Sequence, residues 1–255
     1  MWKVSAVIIT YNEAQNIGRC LKSLEEVAEE IIVVDNFSTD DTKTIVSSFP
    51  NARLISQAWL GYGPQKNTGI AEAVYEYILS IDADEELDPM LIHEIKMAKS
   101  LAPAGLYAFH RVNYYYTKFL KHGAEYPDLK IRMFPRNAAT WSEDLVHEKL
   151  IASADLKVEK LNGELLHYTY NRMFDHIRKA NKYSSLAAQN NFNQGKKSSW
   201  GKILFSPPFT FIQAYFLKRG FLDGANGFIA AAFHAYGTFM KYAKLWELHQ
   251  KKLPE

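Results

Sequence analysis

Asp82 and Asp84 stand one residue apart at the end of a short, mostly apolar run, Tyr77-Ile78-Leu79-Ser80-Ile81. A run of this length reads as a buried strand. The two carboxylates then sit where the strand gives way to a loop, the edge of an open α/β sheet at which ligands bind. At i and i+2 on an extended backbone they point the same way. They can share one hard cation, or one can hold a sugar hydroxyl while the other holds the metal. Mg2+ and Mn2+ suit carboxylate and phosphate oxygens, and Mg2+ commonly bridges a carboxylate to a substrate phosphate. The competing reading is an acidic helix start, because Glu85, Glu86 and Asp88-Pro89 suit a first helical turn.

The elements before this strand repeat its logic. Lys3 to Thr10 is a β-branched strand followed by Tyr11-Asn12-Glu13. Asn16 or Glu13 can cap a helix whose apolar face is Ile17, Cys20, Leu21 and Leu24. Glu30 to Asp35 is a second strand, again ending in a carboxylate. Ser38 to Asp41 offers an N-cap for a helix from Thr42 to Phe49. Ala52 to Gln57 is a third strand. Gly61-Tyr62-Gly63-Pro64 reads as a tight loop, with a helix from Gln65 to about Tyr75. Alternating strands and helices imply a parallel, doubly wound sheet. No Gly-x-Gly-x-x-Gly follows the first strand, so the usual dinucleotide fingerprint is missing. From Leu106 the pattern turns antiparallel, with strands over 107–116, 129–134 and 164–170. After Asn171 it turns helical.

Three strand ends therefore carry polar groups: Tyr11-Asn12-Glu13, Asp35 and Asp82-Ala83-Asp84. In a parallel sheet they converge on one edge and describe a pocket for a nucleotide with a metal-bound diphosphate. The chain as a whole has the composition of a globular protein, with 47% hydrophobic residues and one cysteine among 255. A single cysteine excludes an internal disulfide framework and fits a reducing compartment. No signal peptide is expected, because the apolar run from Val4 to Ile9 is too short. The net charge of +2 hides an asymmetry. Residues 171–255 carry 13 Lys and Arg against 4 Asp and Glu, a net +9, and residues 1–170 a net −7.

The segments VSAVIITYNEAQNIGRCLKSL, EEIIVVDNFSTDDT and LSIDADEEL resemble the opening of a family 2 glycosyltransferase, an inverting nucleotide-sugar enzyme of GT-A fold. GYGPQKN, YPDLKIRMFPR, EDLVHE and RGFLDGANGF are similar to its lipopolysaccharide-core branch, the β-1,4-glucosyltransferase-like enzymes. The resemblance covers nearly the whole chain. It implies an α/β fold of GT-A type: a Rossmann-like, mostly parallel sheet with helices on both faces over residues 1–170, plus a C-terminal helical region over 171–255. It also implies a donor such as UDP-glucose, a divalent cation (Mg2+ or Mn2+) as cofactor and a glycolipid acceptor of lipopolysaccharide-core type. A lipid-phosphate carrier or another surface polysaccharide is the alternative acceptor. A nucleotide-sugar-binding scaffold is the non-enzyme alternative, and nucleic acid is not expected as a partner.

Carried over residue by residue, the resemblance places Thr10, Tyr11 and Glu13 at the nucleoside, Tyr11 near the base. Asp35 would accept from uracil or ribose. Asp82, with Ala83, would approach the ribose or donor sugar, Asp84 would ligate the cation, and Lys66 would reach the diphosphate. Inverting transfer further needs a base for the acceptor hydroxyl. Glu143 to Glu148 is dense enough in titratable groups to supply it. There Asp144 is preferred as base and Glu148 is second. His147 would orient one of them or complete the metal shell. Asp128 and Arg132 would shape the acceptor or diphosphate side. His110, His122, His167, His176 and His234 have no visible partner and read as structural.

The tail holds two apolar stretches, Ile203 to Leu217 and Ala225 to Met240, each shorter than the ~20 residues a spanning helix needs. Basic residues flank both. Such segments suit helices lying in a membrane interface, which implies a cytoplasmic, peripheral protein on the inner face of the membrane. A helical lid or a homodimer surface is the alternative.

Overall fold

A computed structural model describes residues 1–103, 105–143 and 148–250. The elements run β1 (Val4–Thr10), α1 (Ile17–Leu24), β2 (Glu30–Asp35), α2 (Thr42–Ser47), β3 (Ala52–Ser56), α3 (Tyr62–Ala71), β4 (Tyr77–Asp82), β5 (Glu85–Leu87) and α4 (Pro89–Ser100). They continue with β6 (Gly105–Tyr115), β7 (Lys118–Phe119), β8 (Asp128–Pro135), β9 (Ala139–Trp141), β10 (Leu150–Ala152), β11 (Lys157–Tyr170), α5 (Met173–Asn193), α6 (Trp200–Ile212) and α7 (Gly224–Gln250). Two compact units result: Met1–Arg111 with Asp128–Tyr168, and Val112–Pro127 with Thr169 onward.

The first unit is built on a sheet in the order β3-β2-β1-β4-β8-β6-β11-β5. β3, β2, β1 and β4 are parallel, and β8 runs antiparallel to β4 and β6. The sheet is thus mixed, its parallel part being the half that carries the three polar strand ends. Period-2 alternation fixes its two faces. Val4, Ala6 and Ile8 of β1 pack with Ile17, Leu21, Leu91 and Ile95 from α1 and α4. Val7 and Ile9 face the other way, with Ile70 and Trp141.

Two sequence expectations shift. Helix α3 begins at Tyr62, so the stretch read as a loop is its first turn. Pro64 is tolerated there because first-turn N–H groups need no intrahelical partner. Glu85 and Glu86 do not start a helix. They form β5, and α4 begins at Pro89, where the Asp88 side chain accepts from Leu91 N at 2.7 Å.

The second unit contains α5, α6 and α7 with the segment 112–127. A π turn (Gln213–Leu217) and a 3-10 turn (Gly220–Asp223) join α6 to α7. Its histidines have partners: His122 faces Asp223 at 3.4 Å and His234 faces Glu125 at 3.3 Å. His176 lies between the rings of Tyr170 and Phe233, with centroids 3.8 and 3.7 Å away, and its Nδ1 shares a hydrogen bond with the Tyr116 hydroxyl at 2.5 Å. Burial holds its pKa down to about 4. The unfolded chain therefore binds the extra proton first, and this contribution to stability is complete above about pH 6.5 and lost as pH falls towards 4. Thermal unfolding between pH 7 and 4 should show a loss on the order of 2–3 kcal/mol from this residue. His176→Phe, which keeps the stacking and takes no proton, should remove that part of the pH dependence.

Candidate active site

Strand register brings the polar ends together. Thr10 pairs with Asp35 across β1 and β2, and Ile9 pairs with Asp82 across β1 and β4. With strands about 4.8 Å apart, all three ends fall within one ligand's reach. Thr10 Oγ1 is buried and has no hydrogen-bond partner among the described residues. Tyr11 is 54% exposed, so it does not pack in the core, and its ring is open to a ligand.

The loop after β1 is laced to the turn after β2. Asn12 N donates to Ser38 Oγ at 2.8 Å, Thr39 N to Asn12 Oδ1 at 2.8 Å, and Glu13 N to Thr42 Oγ1 at 2.9 Å. Asp35, wholly buried, accepts from the Ser38 backbone N at 3.0 Å and from the Ser38 hydroxyl. Asp35 thus shapes this turn, while Asp40 accepts from Thr42 N at 3.1 Å at the start of α2. Asn12 and Ser38 hold the loops that carry Tyr11 and Asp35, a part the sequence does not announce.

Behind Asp82 runs a chain of alternating charge. Lys66, buried on α3, lies 3.0 Å from Asp82 Oδ1 and 3.0 Å from Glu148 Oε1. Its ammonium also sits 4.6 Å from the centre of the Trp141 ring. Arg132 on β8 donates to Asp82 Oδ2 at 3.1 Å and to Glu85 Oε1 at 2.5 Å. Arg111 on β6 reaches Glu85 at 3.5 Å and Asp128 at 2.8 Å. Glu85 is wholly buried and also accepts from Asp82 N at 3.0 Å. Burial alone would raise the Asp82 pKa, but Lys66 and Arg132 outweigh it and hold the carboxyl far below the usual carboxylate range. Burial works against the Arg132 cation, and Glu85 and Asp82 more than offset it. Cys20 donates to Asp82 O at 3.7 Å. Burial, then the nearby Glu85 and Asp84, push its thiol well up, so it is no nucleophile.

Asp84 turns elsewhere. Antiparallel pairing of β5 with β11 sets His167 opposite Glu85, and His167 Nε2 lies 3.2 Å from Asp84 Oδ2. Sequence gave His167 no partner. A carboxylate oxygen and a neutral imidazole nitrogen are both donors for Mn2+. Two donors bonded at about 2.1 Å and near a right angle would stand about 3 Å apart. No group of three His, Cys, Asp or Glu gathers among the described residues. Asp84 and His167 thus stand at a spacing that a cation could bridge, but by themselves they make no metal site.

Gly63 positions the remaining loop. A Cβ there would meet Ser142 O at 1.9 Å, so the backbone after β9 crosses directly over the start of α3. Asn67 Nδ2 donates to Trp141 O at 2.8 Å and fixes the same crossing. Asp144 and His147 lie outside the described residues; Glu148, which follows them, is held at Lys66.

The family model described as Glycosyl transferase family 2 matches residues 5–148. A lipopolysaccharide core biosynthesis glycosyltransferase, LpsC of Rhizobium meliloti, is 32% identical over 98% of this chain and 94% of its own length. An uncharacterized glycosyltransferase of Rickettsia typhi is 34% identical over 98% of this chain and 89% of its own. The solved mannosyltransferase PcManGT of Pyrobaculum calidifontis, in complex with GDP-Man and Mn2+, shares the fold. Its TM-score is 0.50 at 16% identity, covering 100% of this chain and 88% of that one. The chain belongs to glycosyltransferase family 2, with a GT-A-type sheet and a C-terminal helical region, and it is a glycosyltransferase.

Proposed function

We propose that this enzyme is an inverting, cation-dependent hexosyltransferase that uses a UDP-sugar and adds its sugar to a lipopolysaccharide-core glycolipid at the inner face of the cytoplasmic membrane. The observation that carries this reading is the convergence of Thr10, Asp35 and Asp82 on one sheet edge. Likeness to LpsC over nearly the full length supports the acceptor class.

In this reading Tyr11 covers the base, and Thr10 Oγ1 and Asp35 bind the nucleoside. Asp82, held by Lys66 and Arg132, accepts from the ribose or donor sugar. Asp84 and His167 hold the cation, which supplies positive charge to the leaving diphosphate. Glu148 is committed to Lys66, which favours Asp144 as the base. Asp144 takes the acceptor hydroxyl proton as the new glycosidic bond forms at the anomeric carbon and the bond to diphosphate breaks. A thermal-shift screen of nucleotide sugars with Mn2+ tests the donor, and UDP-sugars should raise Tm above all others. Mass analysis of core oligosaccharide from a deletion strain tests the acceptor. One hexose should be missing, and an unchanged core would refute the acceptor class.

Phe37 adds a second aromatic face. It is 54% exposed, next to Asn36, whose N donates to Thr10 O at 3.0 Å, and its φ is 56°. The left-handed region costs a non-glycine residue roughly 1–2 kcal/mol. Strain of this kind clusters at functional sites. An aromatic stacking contact is worth about 0.5–1.5 kcal/mol, so Phe37→Gly should raise the donor KM about 2- to 10-fold with kcat and Tm little changed. Steady-state kinetics would decide it, and an unchanged KM would remove Phe37 from the nucleoside pocket.

A further inference from the structure

The helix α6 is short of burial. Not one residue of α6 is buried, although Ile203 to Ile212 contains no charged residue. Its inner side meets α7: Thr210 Oγ1 donates to Thr238 Oγ1 at 3.3 Å, and the Phe211 and Tyr215 rings lie 5.4 and 5.6 Å from Phe228. The outer side of α6 and of the π turn that continues it repeats at intervals of four, three and four: Phe205, Phe209, Ile212 and Phe216 are 71%, 61%, 46% and 55% exposed. That spacing is one face of a helix. Leu217 follows at 70% exposed, and Phe221 and Leu222 extend the strip around the turn. A water-facing helix would carry polar groups here, and a contiguous apolar patch of this kind marks an interaction surface.

Charge says what covers it. Between Asp175 and Asp223 the chain has no acidic residue and eight Lys or Arg. Lys196, Lys197 and Lys202 stand before the strip, and Lys218 and Arg219 directly after it. Gly123 N donates to Lys218 O at 2.9 Å, which brings the Lys118–His122 segment to the same end. Because both ends are basic, a second copy laid on α6 in either direction would set cation against cation. A spanning role is excluded, since no helix among the described residues is long and apolar enough to cross a membrane.

We propose that α6 and the turn after it lie flat in the headgroup layer of an anionic bilayer. The face Phe205, Phe209, Ile212, Phe216 and Leu217 is embedded, and Lys202, Lys218 and Arg219 contact lipid phosphates. This rests on the membrane reading above and names the element responsible. In-plane helices with an apolar face and basic rims bind in this way.

The test is vesicle flotation of the full chain, with phosphatidylcholine alone or with added phosphatidylglycerol. The wild type should float with anionic vesicles and more weakly with neutral ones. Phe205→Ser/Phe209→Ser/Phe216→Ser should lose more than tenfold in vesicle affinity, with circular dichroism and UDP release from UDP-sugar unchanged, because these side chains project outward. Lys218→Glu/Arg219→Glu should lose affinity for anionic vesicles alone. A bromolipid should quench a tryptophan introduced by Phe209→Trp more than it quenches the wild type. If the wild type ignores anionic vesicles at low salt, the membrane reading itself fails. If the wild type binds and the triple variant binds equally well, only the assignment to α6 fails. If the triple variant turns a dimer into a monomer with vesicle binding intact, a second copy covers the strip and the proposal is overturned.

Discussion

Asp84→Asn will abolish sugar transfer and leave the fold intact. The substitution keeps the side-chain volume and removes one negative charge, so circular dichroism and Tm should stay close to wild type. Asp84 Oδ2 stands 3.2 Å from His167 Nε2, and among the described residues no third His, Cys, Asp or Glu joins them. In the proposed site this carboxylate would be one of the two side chains that hold the cation. An amide oxygen carries no charge, and cation affinity should fall steeply. His167→Ala should lower activity in the same direction, and excess Mn2+ should partly restore it, because the carboxylate remains. If Asp84→Asn keeps near-normal turnover at saturating Mg2+ or Mn2+, Asp84 does not serve the cation.

Asp144→Asn comes next in size. A positioned base contributes roughly 10²–10⁴ to the rate. The expected result is a fall in kcat of that order, with donor binding little changed, since the proton moves only as the acceptor attacks. Glu148→Gln is the control. Glu148 sits 3.0 Å from Lys66, and Lys66 sits 3.0 Å from Asp82, so its loss should act on donor positioning and raise KM more than it lowers kcat. Should Glu148→Gln be the dead variant and Asp144→Asn the active one, the two roles exchange. Steady-state kinetics with varied donor at saturating acceptor separates these outcomes.

What was legible in the sequence was local. β1, β2 and β4 could be read because each is a continuous apolar run that stops at a polar group, and a parallel sheet puts such stops on one edge. That rule places Asp35 and Asp82 at strand ends. What stayed hidden depends on partners far along the chain. Glu85 looks like an acidic helix residue until Arg111 from β6 and Arg132 from β8 surround it. A buried carboxylate is stable only with such partners, and no local pattern announces them. His167 is invisible for the same reason: the pairing of β11 with β5 delivers it to Asp84. Nor does local sequence announce that Arg132 pairs with both Asp82 and Glu85. Nothing in the composition of 112–127 sets it apart from the strands around it, yet its contacts are with the helical unit. The strip on α6 shows the converse. Its apolar spacing was readable, but only the packing of α7 between α5 and α6 tells which side is left outward.

The central claim is that Asp84 and His167 hold a divalent cation which in turn holds the donor diphosphate. Isothermal titration of UDP into the full chain, with Mn2+ and with EDTA, tests it most directly. UDP should bind the wild type at least tenfold more tightly with Mn2+, and Asp84→Asn should show no such gain. Equal UDP affinity with and without Mn2+ in the wild type, or an undiminished gain in Asp84→Asn, would contradict it.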